Sequence, residues 1–409
     1  MWRTWPLLEK LPNVAVQRSR APGDSLSEYQ ALMPELGITR LANITGLDCI
    51  GIPVVVAVRP ASRGLATAQG KGITLTSAKV SALMEAIETW HAEHLQTTTR
   101  LDSFRELHHT AIDVTRVHLR SNLQFDPLRP IAWIQAHDLI ADEPIWVPWE
   151  AVSCDFSSPV VRQATFLQST NGLASGNHIL EAIAHGLCEV IERDAVTLYH
   201  YAGTAHQAEL QVDLTTVEDT SCRELLQKFN DAGVNVMAWD CTSDVGIPVL
   251  SALISDSFSA QQFRPRGPFR GYGCHPSRDI ALVRAMTEAA QSRLTYISGS
   301  RDDLFREHFR TLHQMGVKQA FVKDVASTAR RPFAQVPNIH HRTFNADIDY
   351  MLMRLQAVGL DQVAVFDLTR KELGVPVVKV LVPGLENNVH RSKGYRPGSR
   401  ALRVKSSYS

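Results

Sequence analysis

Three stretches of the chain carry acidic or amide side chains at helical spacing: Ser81, Glu85 and Glu88; Glu181, Glu189 and Glu192; and Arg284, Glu288 and Gln291. At 100° per residue Ser81, Glu85 and Glu88 project from one helix face, and the other two stretches repeat the arrangement. An isolated pair of carboxylates at i,i+3 is ordinarily a solvated surface. Here the neighbours are Leu83 and Ile87, then Leu187, Val190 and Ile191, then Met286 and Ala289, which mark all three helices as packed. Carboxylates gathered beside packed faces cost on the order of several kcal/mol each unless a cation joins them. Magnesium takes carboxylate and amide oxygens, so it is the expected partner.

Magnesium also keeps waters and accepts phosphate oxygens. A glycine-containing stretch precedes each helix: Gly64-Leu65-Ala66 with Gly70-Lys71-Gly72, then Gly172-Leu173-Ala174-Ser175-Gly176-Asn177, then Gly271-Tyr272-Gly273. Read as loops, these offer main-chain N–H groups to phosphates, while Lys71, Arg193 and Arg284 offer cations. The residues therefore predict a magnesium nucleotide. The P-loop string, the kinase glycine-rich pattern and the dinucleotide fingerprint are all missing. His185, four residues after Glu181, is a candidate general base, but a lone helical histidine is more often a packing residue. His178 and His275 take the same discount, and no residue is assigned as catalytic.

The elements that must position these groups repeat along the chain. Aligned on Glu85, Glu189 and Glu288, the acidic helices lie roughly a hundred residues apart, which predicts pseudo-symmetric packing round a shared point. A second pattern opens strands: Gly51-Ile52-Pro53-Val54, Gly246-Ile247-Pro248-Val249 and Gly374-Val375-Pro376-Val377 each set a turn glycine and a proline ahead of a β-branched run. The last two copies extend upstream into predicted helices at Glu224–Gly233 and Tyr350–Gly359. Strands are predicted at Ile52–Val58, Val160–Gln168, Val249–Ile254 and Val377–Val382, and surface loops at Ser255–Pro268 and Pro332–Thr343. The expected class is α+β, with mixed β-sheets, packed helices and internal pseudo-repeats. Beyond Glu386 the chain carries Arg391, Lys393, Arg396, Arg400, Arg403 and Lys405 without an acid, and reads as a loosely held basic terminus. Docking of substrate or partner is the alternative for that tail.

Composition narrows the function further. The 409 residues are 44% hydrophobic and 21% charged, with Lys plus Arg equal to Asp plus Glu at 42 each. That balance gives no reason to expect non-specific binding to nucleic acid or to a membrane. The cysteines Cys49, Cys154, Cys188, Cys222, Cys241 and Cys274 form no C-x-x-C pair, which argues against a zinc knuckle or a disulfide framework. Without a signal-peptide pattern or an apolar run of about 18 residues, the expected location is the cytoplasm.

The string Ser169-Thr170-Asn171-Gly172-Leu173-Ala174-Ser175-Gly176-Asn177, followed by Glu181-Ala182 and by Glu189-Val190-Ile191-Glu192-Arg193-Asp194, resembles the YcaO family. The Ser81-x-x-x-Glu85-x-x-Glu88 and Arg284-x-x-x-Glu288-x-x-Gln291 helices stand in that family's order, and the likeness spans about residues 40–390. It implies a YcaO-type catalytic body at 40–390, an N-terminal extension at 1–39 and the basic tail at 391–409. It also implies ATP and Mg2+ as cofactors. In the implied reaction a nucleophile adds to a peptide amide carbonyl, ATP phosphorylates the tetrahedral oxygen, and loss of phosphate leaves an azoline, a thioamide or an amidine. Carried over by position, Glu85, Glu88, Glu189 and Glu192 would hold magnesium. Ser81, Asn177, Glu181, Arg193, Arg284 and Glu288 would contact nucleotide or complete the metal shell, with Gln291 beside them. Many family members have a serine where this chain has Ala174, which puts one nucleotide contact in doubt.

The last residues, Val404-Lys405-Ser406-Ser407-Tyr408-Ser409, lack the proline-rich end common in azoline formers. Val382-Pro383-Gly384-Leu385-Glu386 with Gly394-Tyr395-Arg396-Pro397-Gly398 resembles instead the branch that works beside a TfuA protein and forms thioamides. The expectation is backbone thioamidation of a ribosomally made peptide or a protein, with a TfuA-like partner and a sulfur donor. A homodimer is allowed for. The alternatives are an azoline-forming cyclodehydratase and a Mg-ATP-binding scaffold without chemistry of its own.

Overall fold

The computed structural model describes residues 5–12, 17–120, 123–157, 164–256, 268–317, 330–387 and 395–408. Their strands form three sheets. The first is antiparallel, in the order β1 (Arg40–Asn43), β2 (Val54–Val58), β3 (Thr67–Lys71). The second runs β11 (Phe269–Cys274), β10 (Val249–Asp256), β9 (Val234–Asp240), β8 (Gln211–Asp213), β12 (Arg331–Pro332), with only the last pair parallel. The third runs β4 (Arg100–Asp102), β5 (Ile131–Asp138), β13 (Ala364–Asp367), β14 (Val377–Leu381), β7 (Leu173–Ser175), with β6 (Glu143–Pro148) also on β5.

The two repeated sequence patterns meet in these sheets. Each sheet sets one strand of the glycine-proline pattern beside one strand of the glycine stretches, as β2 beside β3, β10 beside β11 and β14 beside β7. The turn glycines Gly51, Gly246 and Gly374 have φ of +73°, +76° and +68°, a region that glycine enters without steric cost. Of the glycine stretches, expected as loops, Gly172 at φ +77° is a turn residue just before β7, while Gly70, Gly271 and Gly273 lie in edge strands. Their glycines serve close approach to the following helix. A Cβ on Gly70 would lie 2.0 Å from the Ala82 nitrogen, and one on Gly271 would lie 2.2 Å from the Ala289 nitrogen.

The three edge strands lead into the acidic helices Leu75–Glu93, Ile179–Tyr201 and Arg278–Ser298. Thr74 caps the first by accepting from the Ser77 N–H, and His178 Nδ1 caps the second by accepting from the Leu180 N–H. Gly299, at φ +58°, closes the third in the left-handed conformation usual after a helix end. Each helix packs on its own strand and also on the edge strand of another unit: the first on β3 and β7, the second on β7 and β11, the third on β11 and β3. This cyclic overlap turns the acid-bearing faces toward one interior. Three apolar clusters hold the units together, one of them joining Ala82, Leu83, Ala86 and Ile87 to Trp133, Leu173 and Val377.

The predicted helices at Glu224–Gly233 and Tyr350–Gly359 occur as Thr220–Asp231 and Phe344–Gln356, followed by Gly233 and Gly359 at φ +66° and +77°. The strand expected at Val160–Gln168 falls partly outside the described residues (158–163), and over 164–168 the pairing is a single bridge between Leu119 and Phe166. Of the loop expected at Ser255–Pro268, Ser255 and Asp256 instead finish β10, and 257–267 lie outside the described residues. Pro332–Thr343 is a loop containing one short 3-10 turn, Phe333–Gln335. The loosely held tail is corrected over Ser399–Ser407, which is a helix docked on Ile179–Tyr201. The docking follows from charge: the buried Arg400 finds a buried acid, Asp194, as partner. Arg391 and Lys393 lie outside the described residues. Among the described residues no helix is long and apolar enough to cross a membrane.

Candidate functional site

The inward faces of the three helices enclose a cavity of ≈ 490 Å³. All twelve residues singled out in the sequence line it: Lys71, Ser81, Glu85, Glu88, Asn177, Glu181, Glu189, Glu192, Arg193, Arg284, Glu288 and Gln291. Contacts between units tie the wall together. Glu88 of the first helix accepts from the Ser175 N–H and hydroxyl on β7, at 2.9 and 2.6 Å. Gln291 of the third helix donates to the Gln69 carbonyl on β3 at 2.5 Å, and Lys71 on β3 pairs with Glu288 at 2.6 Å. Ala174, where the resemblance expects a serine, is fully buried in the core, and the neighbouring Ser175 supplies the hydroxyl that reaches the cavity.

The charges are unevenly matched. Glu181 pairs with Arg18 at 3.0 Å and Glu189 with Arg193 at 3.5 Å, while Arg284 donates to His185 Nε2 at 3.0 Å. Among the described residues Glu85, Glu88 and Glu192 have no ion-pair partner. Burial is the main cause that pushes Glu85 up to about 7, against the pull of Lys71 and Arg301. Burial, opposed by the Ser175 hydrogen bond and reinforced by Glu85 and Glu189, pushes Glu88 up to about 8. Burial and then Glu288 push Glu192 up to about 7, and burial also raises Glu189. Glu85 faces open cavity space, so water admitted there moderates its rise more than it does at Glu192. Glu288 goes the other way: burial would raise it, but Lys71 and Arg193 outweigh burial and hold it low. His185 and His275, both on the cavity wall, are held well below their ordinary value by burial and then by nearby cations.

Hard oxygen donors without cation partners are what magnesium takes. Among the described residues no three acidic, histidine or cysteine side chains close round a single point as in a finished metal cage. Magnesium does not require one, because it retains waters and shares one or two carboxylates with phosphate oxygens. The donor set therefore fits a magnesium nucleotide that completes the coordination itself.

Several wall residues were not found in the sequence. Gln17, Arg18, Arg20 and Ser25 come from the stretch ahead of residue 40, which was expected to stand outside the catalytic body. The Ser19 N–H and hydroxyl donate to Glu181 at 3.1 and 2.6 Å, and the Ser25 hydroxyl donates to Asn177 at 2.6 Å. Arg301, Thr287 and Asp347 also line the cavity. The local signal for the first group is the short run Gln17-Arg18-Ser19-Arg20, too brief to establish a helical or strand period.

With this geometry in hand, the comparisons are specific. The model of the YcaO cyclodehydratase family, described as ATP- and Mg2+-binding, matches residues 69–386. A Rhizobium leguminosarum bv. trifolii protein, named only for its position in the tfuA 3′ region, is 36% identical over 383 residues, covering 91% of this chain and 89% of its own. An uncharacterized Methanothermobacter thermautotrophicus protein is 35% identical, over 89% of this chain and 94% of its own. Among solved structures, the YcaO protein of Methanopyrus kandleri bound with AMPPCP and Mg2+ matches with a TM-score of 0.72 at 22% identity, over 96% of this chain and 99% of that one. A heterocyclase in complex with substrate and cofactor matches with a TM-score of 0.79 at 23% identity, over 94% of this chain. This chain spans 54% of that heterocyclase's length.

Proposed function

The chain belongs to the YcaO family, a family of ATP- and Mg2+-binding proteins, and from that premise we propose that it modifies peptide backbone amides by phosphorylating the amide-derived oxygen. A nucleophile adds to the amide carbon, the γ-phosphoryl group of ATP passes to the tetrahedral oxygen, and the C–O bond then breaks with loss of phosphate. The observation that carries the reading is one cavity in which carboxylates of three helices converge, three of them without an ion-pair partner among the described residues. Glu85, Glu88, Glu189 and Glu192 would hold Mg2+, which when bound neutralises phosphate charge. Lys71, Arg193 and Arg284 orient the phosphates, while Ser81, Asn177, Glu181, Glu288 and Gln291 fix the nucleotide or the outer metal shell. The chain's work is placement and electrostatics rather than covalent chemistry.

The product we favour is a thioamide, formed beside a TfuA-like protein that delivers sulfur. Support comes from the Rhizobium relative placed in the tfuA 3′ region and from the Val382–Glu386 and Gly394–Gly398 segments. The family description as cyclodehydratase and the heterocyclase fold match favour a second product, an azoline. The test is to incubate the protein with a TfuA-like partner, a candidate peptide, sulfide and ATP, and then weigh the peptide. Exchange of oxygen for sulfur adds about 16 Da and cyclodehydration removes about 18 Da. An unchanged mass, with no phosphate released under any combination, would reject both products.

A further inference from the structure

The helix Ser399–Ser407 lies beyond the family-matched region and packs against the second acidic helix, on a face that does not line the cavity. Its Arg400 grips Asp194 with a two-pronged contact, Nε to Oδ1 at 2.9 Å and Nη2 to Oδ2 at 2.8 Å, with side-chain exposures of 3% and 0%. The same Nη2, together with Nη1, also reaches the half-exposed Asp244. The Glu386 N–H also donates to Asp194 at 2.9 Å. The Glu386 carboxylate in turn accepts from the Gly398 and Ala401 N–H groups, both at 2.9 Å, at the start of the same helix. The last helix is thus fastened at two points to the segment that carries Glu192, Arg193 and Asp194.

Glu192 and Arg193 line the cavity, and Asp194 follows 100° further round the helix on the buried side. A buried carboxylate that loses its guanidinium must take up a proton or reach water or another cation, and in each case the helix loses a fixed partner. A helix freed from that partner can turn or slide, and such a movement carries Glu192 and Arg193 with it. We infer that Arg400 is a positioning residue: the last helix, gripping Asp194 from behind, sets where Glu189, Glu192 and Arg193 stand in the cavity. The inference rests on the nucleotide reading above, and names an element of this chain that controls that site without touching it.

The test is calorimetric titration of Mg-ATP into the full chain, parent against Arg400→Met. The expected result is an affinity weakened about two- to thirty-fold in a variant whose circular dichroism matches the parent, with ATP binding in EDTA moving less. The double variant Asp194→Asn/Arg400→Met strands no charge but still lacks the grip, so it should keep most of the loss; full recovery would overturn the inference by tracing the loss to the stranded charge. Asp244→Asn, which removes only the outer contact, should bind as the parent does. A purely structural role would lower the melting temperature and leave the affinity of the folded variant unchanged. Folded Arg400→Met with parental Mg-ATP affinity overturns the inference. Where Arg400→Met does not fold, Arg400→Lys decides, because an ammonium keeps the charge but loses the fork. Parental affinity there overturns the inference, and a raised ATP KM at near-parental kcat supports it. A parent that binds no Mg-ATP sinks both this inference and the reading beneath it.

Discussion

Glu88, Glu85 and Glu192 are carboxylates that the folded chain holds at a cost, and that cost has a sign and a pH window. Their folded values of about 8, 7 and 7 stand above the ordinary 4.5, so the folded state binds more protons than the unfolded state between those limits. Stability of the ligand-free protein therefore falls as pH rises between about 4.5 and 8 and levels off above that. The lowered histidines His185 and His275 act oppositely, adding stability as pH rises toward 6.5, so the acids are seen cleanly only above that point. Melting curves at pH 7.0, 7.8 and 8.5 should show the decline, and Glu88→Gln should flatten it. A slope unchanged by that substitution would remove the carboxylates as its source. Glu192→Gln should stabilise the ligand-free protein by about 1 kcal/mol in urea unfolding, because a buried unpaired charge is gone. The same variant should lose about tenfold or more in Mg-ATP affinity by calorimetry. At this scale the site was largely legible, since Glu85 with Glu88 and Glu189 with Glu192 share a helical period. Arg18 and Ser25 were not, because their partners Glu181 and Asn177 lie 163 and 152 residues away and only folding brings them together.

At the scale of elements, an edge strand lies flat on its own helix and works only where the strand lacks side chains. Gly70→Ala would drive a methyl group to 2.0 Å from the Ala82 nitrogen and 2.3 Å from the Ala78 carbonyl, part of a backbone that cannot yield. The expected loss is about 1–3 kcal/mol in urea unfolding, with weaker nucleotide binding in whatever folds. Gly23→Ala, where nothing lies within 4 Å, should stay within about 0.5 kcal/mol of the parent. Equal effects at both positions would count against close approach as the reason for Gly70. The same glycines explain a misreading. Gly70 and Gly271 signal a break in propensity, and the sequence does not distinguish a turn that needs freedom, as at Gly172, from a strand that needs room. The strand-opening glycines were read correctly because Gly51-Ile52-Pro53, Gly246-Ile247-Pro248 and Gly374-Val375-Pro376 pair each glycine with a proline, which leaves a turn as the local solution. The tail was misread for want of a partner: Arg400 looks solvated until Asp194 is folded against it.

Across the whole molecule, the three sheets of the described residues share no strand and are joined by apolar clusters and by helices that each lean on another unit's edge. A nucleotide bound in the cavity would touch all three units at once. Mg-ATP at a hundred times its dissociation constant should therefore stabilise the fold by about 2.7 kcal/mol, as one cooperative rise in melting temperature. Two separate transitions, only one of them responding to ligand, would show that the units do not act together. The order in which the sheets assemble was not legible, because β7 reaches its neighbour β14 only after some two hundred intervening residues. Their pairing of Ser175 with Val377 is set by neither local pattern. The ring of helices is also unequal: two corners present a pair of glutamates, whereas at the third Gln291 spends its amide on the Gln69 carbonyl. Three identical corners would let a lopsided guest such as a triphosphate settle in any of three rotational poses. A corner with one glutamate where the others have two would remove that degeneracy, so the departure from symmetry would tell such a guest which end goes where.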